Sequence, residues 1–422
     1  MNFIKTFALV AGIGIFSIEI SHAQLQIDAQ YRPRFELRDG YRKLSNLDNT
    51  PTGVISQRTR LSLTYKTENL KLVFSPQDVR VWGDENLSSS TGVYGDDASL
   101  TLFEGYAAIK MGNAGWVSVG RQQLVYDYQR LLAARNWNQN GLAYDAVVYQ
   151  KEWSDWTFHA GASWNNTSAL TSDNYYLPDR IKSLNFAWLQ HQFSETFKLS
   201  LLHIASGKTQ TDSTNRIYFR QTTGLYGEFA NHWMQGQSNF YYQYGKNNQN
   251  QNINAWLFDV DVVFKAGAIS PGIGFNYLSG DGNLSNSQDN LFDVLYGARH
   301  RFGGHMDYFR NYASHTQNGG LVDGYAYINF KLNDKVKITN TGHYFWLAET
   351  NANTPQNKDL GYENELACLY KFNKWGSLKT GYLFFLPTDN MRQLQGVANA
   401  NDYQQFLFIE LTIKPTLFSN NL

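Results

Sequence analysis

The sequence predicts an all-β fold: a transmembrane antiparallel β-barrel of about 18 strands, with long outer loops and short periplasmic turns. Three observations lead there. Period-two alternation of apolar and polar residues recurs along the chain from Gln24 onwards. Aromatic residues make up 15 % of the chain and charged ones only 17 %, too few charges to keep a soluble domain of this size in solution. Mean hydropathy is nevertheless polar, at −0.45, and no run of eighteen apolar residues occurs, which excludes a helical membrane protein. A barrel in lipid reconciles these values: its outside is apolar, its inside polar, and its interfacial girdles are aromatic.

Residues 1–23 read as an export signal. Lys5 gives the positive start, Phe7 to Phe16 the apolar run, and Ser21-His22-Ala23 the small residues of a cleavage site. The run is too short to span a membrane. The mature chain is expected to start at Gln24, as a single barrel domain over 24–422 in the outer membrane of a Gram-negative bacterium.

Gln24 to Arg38 is the clearest strand. Leu25, Ile27, Ala29, Tyr31, Pro33, Phe35 and Leu37 fall on one face, and Gln26, Asp28, Gln30, Arg32, Arg34, Glu36 and Arg38 on the other. The same pattern predicts strands over 58–66, 70–82, 100–111, 115–124, 142–151 and 156–164. It continues over 184–193, 197–206, 217–229, 233–244, 253–265 and 269–278. The last group is 296–310, which reads as strand or partly as loop, then 322–332, 336–347, 362–372, 378–386 and 406–415. The total is about eighteen, with sixteen as the alternative, since bacterial barrels take even numbers. Asn113-Ala114, Glu152 to Ser154 and Asn333-Asp334 read as periplasmic turns. Residues 83–99, 167–182, 207–215, 280–293 and 350–358 read as outer loops.

Arginine is concentrated early. Arg32, Arg34, Arg38, Arg58, Arg60 and Arg80 sit on what read as the polar faces of the first three strands. A charge on the lipid face costs about 2–4 kcal/mol near the midplane, so these side chains are expected to point inward. Rings of arginine select anions, and the planar guanidinium suits carboxylates, sulfates and phosphates. Alternatively, the arginines pair with Asp28, Glu36, Asp78 and Glu104 and hold the lumen together. A second dense segment runs from Arg121 through Asp127 and Arg130 to Trp137, Gln139 and Asp145, where alternation lapses. It reads either as a loop folded into the pore or as an ordinary outer loop. Later strands carry Asp259, Asp261, Glu363, Glu365 and Glu410 instead. Closure would bring Arg32 and Arg34 near Glu410 and Lys414.

Other signals are weak. Asp281-Gly282-Asn283 resembles the start of a Ca²⁺ loop, but position twelve is Phe292 rather than Glu. His300 and His305 lack a third ligand at metal spacing. Gly236 to Asn239 lacks the closing glycine of a nucleophile elbow. One cysteine, Cys368, rules out an intramolecular disulfide, and zero net charge gives no argument for nucleic acid. No enzyme and no cofactor is expected.

Several motifs resemble the alginate export family. They are Gln77-Asp78-Val79-Arg80-Val81-Trp82-Gly83, Gly120-Arg121-Gln122, Arg130-Leu131-Leu132 with Trp137-Asn138-Gln139, Arg299-His300-Arg301-Phe302-Gly303-Gly304, Met306 to Phe309, and Leu360 to Glu363. The resemblance spans nearly the whole mature chain and looks most like members from Bacteroidetes. It implies an 18-stranded outer-membrane barrel with an arginine-rich constriction. On the matching positions it carries over Arg32, Arg60, Arg80, Arg121 and Arg130 as pore residues. With Arg34, Arg58, Glu104, Asp127 and Asp145 these form the expected pore-lining, substrate-contacting set. The expected activity is passage of polar or anionic solutes and oligosaccharides. The alternative is a dedicated secretion channel for an anionic exopolysaccharide, served by periplasmic export components. Outer-membrane lipid is the expected surrounding, and the protein is expected to be a monomer.

Overall fold

A computed structural model describes residues 23–83, 100–284 and 287–420. The export signal before Ala23 and the outer loop beyond Gly83 lie outside the described residues.

Period-two alternation becomes a closed antiparallel barrel of 18 strands. The first seven are β1 (Gln24–Asp39), β2 (Thr52–Lys66), β3 (Leu70–Val81), β4 (Leu100–Lys110), β5 (Trp116–Gln122), β6 (Tyr144–Trp153) and β7 (Trp156–Trp164). Next come β8 (Ser183–Ser194), β9 (Phe197–Thr209), β10 (Ile217–Ala230), β11 (Met234–Gly245), β12 (Ala255–Phe264) and β13 (Ile269–Leu278). The wall ends with β14 (Leu321–Lys331), β15 (Val336–Trp346), β16 (Asp359–Asn373), β17 (Gly376–Pro387) and β18 (Gln404–Ile413). Beyond Lys414-Pro415, β18 resumes as Thr416–Asn420, because proline cannot donate to the ladder. Both segments pair with β1, which closes the ring.

Connections alternate strictly. Short turns follow β2, β4, β6 and every later even-numbered strand up to β16, and the start of β1 meets the end of β18 at the same rim. Long loops occupy the other rim. In bacterial barrels the short-turn rim faces the periplasm. Outward faces are apolar: Trp256, Phe258 and Phe264 on β12 and Ile269, Ile273 and Phe275 on β13 are all exposed.

Two expectations change. Residues 296–310 form no strand; they belong to the long connection between β13 and β14 (279–320), which folds into the barrel. The lumen is also not uniformly polar. Leu131, Leu132, Phe292, Met306, Tyr308 and Phe309 are at most 1 % exposed and belong to one cluster with the inward-facing Leu257, Leu278, Phe345, Phe385 and Phe406. The hydrophobic core thus lies inside the ring, where two loops pack on the wall. Residues 123–143 supply the other half of this filling, so the segment is a loop folded inward.

Candidate functional site: a positively lined cavity between two luminal loops

The 123–143 loop spans the lumen because charged staples fix it at both sides. On the β1–β2 side, Arg32 donates to Gln139 Oε1 (2.8 Å) and to the Asn136 carbonyl (2.8 Å). Arg34 donates to the Trp137 carbonyl (2.8 Å), and Arg58 to the Gln139 carbonyl (3.1 Å) and Asn136 Oδ1 (2.9 Å). Arg60 holds Gln77 Oε1 at 2.6 Å and lies 3.3 Å over the Phe103 ring, while Gln77 donates to the Asn140 carbonyl. Glu104 accepts from both nitrogens of Gln123 at the loop's start. On the far wall, Asp127 Oδ1 accepts from Trp188 Nε1 (2.8 Å) and Ser200 Oγ (2.5 Å). Burial raises the Asp127 carboxyl above its usual value against those two hydrogen bonds. Arg130, 2 % exposed, meets Asp259 of β12 at 3.0 Å and stacks 4.1 Å over Phe302.

Seven of the ten expected pore residues therefore act chiefly as loop anchors, and Arg32 alone of them also lines the cavity described below. The other three require correction. Arg80 pairs in register with Gln57, which bonds the outward Tyr31 and Trp82, and it is ion-paired with Asp78 at 2.7 Å. Arg121 and Asp145 pair with each other at 2.7 Å on the faces of Val119 and Val147, which are 53 % and 47 % exposed. Alternation puts all three side chains on the outside of the wall. At the seam, Arg34 sits opposite Glu410, 3.3 Å away, and Arg32 is 3.7 Å from the same carboxylate.

Between the loops and the wall lies a cavity of about 500 Å³. Its charged lining is Arg32, Arg135, Arg299, Arg301, Arg310 and Lys379 against a single carboxylate, Glu410, with His300, His305 and His315 beside them. Glu410 is already shared by Arg32 and Arg34, so the cavity keeps a large positive excess. Arg135 is fixed by the carbonyls of Tyr296, Gly297 and Leu295. Burial, with Arg299 close by, lowers its guanidinium to about 10, which leaves it charged at neutral pH. Arg301 lies 3.6 Å over Tyr128. Trp137 is stacked between His300 (3.8 Å) and Arg34 (3.8 Å) and so joins both loops to β1.

A second cavity of about 620 Å³ shares Arg299, Arg310 and Asn311 with the first and reaches the long-loop rim at Asp179 and Gln249. Its charges balance: Lys208, Arg220, Arg299 and Arg310 face Asp179, Asp281, Asp289 and Asp293. Arg135, Arg299, Arg301, Arg310 and Lys379 are the residues that sequence reasoning missed. For Arg299, Arg301 and Arg310 the signal was present as a run of basic residues over 299–310 broken by Gly303-Gly304.

Comparison with known proteins agrees with this architecture. Acinetobacter baumannii OccAB1 superposes with a TM-score of 0.62 at 12 % identity, over 93 % of this chain and 97 % of that one. Pseudomonas aeruginosa OpdL gives 0.62 at 12 % identity, over 93 % and 99 %. P. aeruginosa OpdK, solved with vanillate, gives 0.61 at 11 % identity, over 93 % and 98 %. No curated protein matches the chain in sequence. The family model described as alginate export matches residues 22–398. The chain thus belongs to the alginate export family and forms an outer-membrane channel.

Proposed function

We propose that this barrel passes small anionic solutes, including acidic oligosaccharides, and selects them at the inner cavity. One observation carries the reading: six Arg and Lys side chains face one carboxylate that is already neutralised. Fixed positive charge in a narrow, partly desolvated space lowers the barrier for anions and raises it for cations, with no covalent step. The balanced outer cavity acts as a vestibule where polar groups admit a hydrated solute before the arginines replace part of its water.

Family membership favours a second reading, a secretion channel for an anionic polysaccharide with periplasmic partners. The two luminal loops, stapled at both walls, fit passage of short solutes better than passage of a polymer. In either case we propose that the chain acts as a monomer, exported by cleavage after Ala23.

Planar-bilayer recording in a salt gradient is the test. Anion preference is expected, weakened in Arg135→Ala/Arg299→Ala. Absence of conductance, or a cation preference, would overturn the reading. Oligouronates of increasing length separate the two versions: transient block that ends beyond a few sugars supports the small-solute channel, and block that persists for long chains supports the exporter.

A further inference from the structure

The segment 296–310 is tied to the wall by an unbroken line of titratable side chains. Asp323 of β14 meets His343 Nδ1 of β15 at 2.9 Å, and His343 Nε2 faces Glu365 of β16 at 3.6 Å. The other Glu365 oxygen meets His305 Nδ1. The His305 ring lies 4.5 Å from the His300 ring, and His300 Nδ1 is 2.7 Å from Asp307 Oδ1. Asp307 Oδ2 accepts from the Tyr41 hydroxyl at 2.5 Å. The loop backbone joins the same groups: Glu365 accepts from His305 N–H (2.8 Å) and Glu363 from Met306 N–H (2.9 Å).

The four carboxylates of this assembly are between 0 % and 6 % exposed. Burying them is costly, and apolar packing would hold a static loop at least as well. Hydrogen bonds to a carboxylate are stronger than those to a neutral acceptor, so the loop's hold on β16 depends on the charge around it.

We propose that residues 296–310 are a proton-sensitive gate: protons added to this line release the segment from β16 and widen the inner cavity. The inference rests on the channel reading above. Glu365 holds both the ring and the backbone N–H of His305, so charge placed on the neighbouring rings bears directly on the loop's hold on β16. A proton on His300 places a cation beside His305 and near Lys379 of β17. Arg301 and Arg310 from the same connection add positive charge, as does Arg42, 3.5 Å from Asp307. Against them stand Asp307 and, across the cavity, Glu410. Trp137 brings no charge to the face it stacks on His300.

Single-channel recording of the full-length protein from about pH 7.5 to about pH 5 tests the gate. Wild type is expected to gain about twofold in conductance over that range, whereas His300→Asn/His305→Asn, which keeps short amide donors but cannot titrate, stays flat. A second variant avoids dependence on folding of the first. His305→Cys/Glu365→Cys, oxidised, should stay in the low state at every pH, and dithiothreitol should move it to the high state even at neutral pH. A wild type that conducts with no pH response, a double-Asn variant that responds like wild type, or a cysteine pair indifferent to reduction overturns the gate. No conductance at any pH overturns the channel reading itself.

Discussion

Trp137 and His300 stack face to face, with centroids 3.8 Å apart and planes within 11° of parallel. They come from different connections, and this contact joins the two luminal loops. Trp137 also carries Arg34 at 3.8 Å on its ring and donates from Nε1 to the Tyr41 hydroxyl. Trp137→Ala removes the stack, the cation–π contact and the hydrogen bond. The loops should lose about 2 kcal/mol of mutual stabilisation. Hydrogen exchange of 134–140 and 298–308 should rise together while wall amides stay protected, and single-channel noise should increase.

Arg130 and Asp259 form the deepest anchor of the first loop. Arg130→Met leaves the Asp259 carboxylate buried and unpaired, at a cost of about 3–5 kcal/mol. Removing both charges in Arg130→Met/Asp259→Leu should recover most of it. Thermal unfolding in detergent checks this, and a double variant as unstable as the single one would contradict it.

Charge selection should depend on location inside the ring rather than on arginine as such. Arg135→Ala/Arg299→Ala should cut the anion-to-cation permeability ratio by about threefold or more. Arg80→Ala and Arg121→Ala, on the outer wall, should leave the reversal potential unchanged. A shifted reversal potential in Arg80→Ala or Arg121→Ala would contradict their outward placement.

Loop stability should fall in acid, in two windows. Burial lowers the His300 imidazole to about 4, against the attraction of Asp307, so at neutral pH it donates Nδ1–H as a neutral ring. The unfolded chain takes up that proton near pH 6.5 and the folded loop only near pH 4. Stability is therefore full above 6.5 and declines by about 3 kcal/mol between those values. Burial would raise the Asp307 carboxyl, but His300, Arg310 and the Tyr41 hydroxyl together hold it below its usual range. Its contribution is present above the ordinary value of 3.8 and is lost as pH falls through the lower folded value. Protease sensitivity of the loop against pH checks both windows: His300→Asn should flatten the upper and Asp307→Asn the lower.

The wall was legible because a half-buried strand has a period of two residues and no register freedom once one face must meet lipid. Trp156–Trp164 and Ile269–Leu278 match their sequence reading at both ends. Strict counting would also have placed Arg80 with Leu72 and Phe74, Arg121 with Val119, and Asp145 with Val147; the attraction of an arginine cluster overrode the parity. The 296–310 segment misled for a different reason. Its apolar residues serve the core inside the ring, so they mimic alternation. The opposing signal was local: Gly303 and Gly304 have φ of 73° and 77° and Asp307 has 62°, conformations no strand adopts. The loop partners of Arg32 and Arg58 were not legible, because Asn136 and Gln139 lie 78 to 107 positions away in the chain and only folding brings them near.

The seam between Arg34 and Glu410 has a bearing on how the molecule assembles. Those residues stand 376 positions apart, and Tyr41 and Asp307 stand 266 apart. The luminal loops are therefore chords across a circle that does not exist until its first and last strands have zipped. Insertion must produce an empty hoop before the filling can settle, so the filling is the last part to order and the first to leave. Variants that loosen it should yield a wider tube instead of an unfolded chain, and bore and durability can then be altered separately.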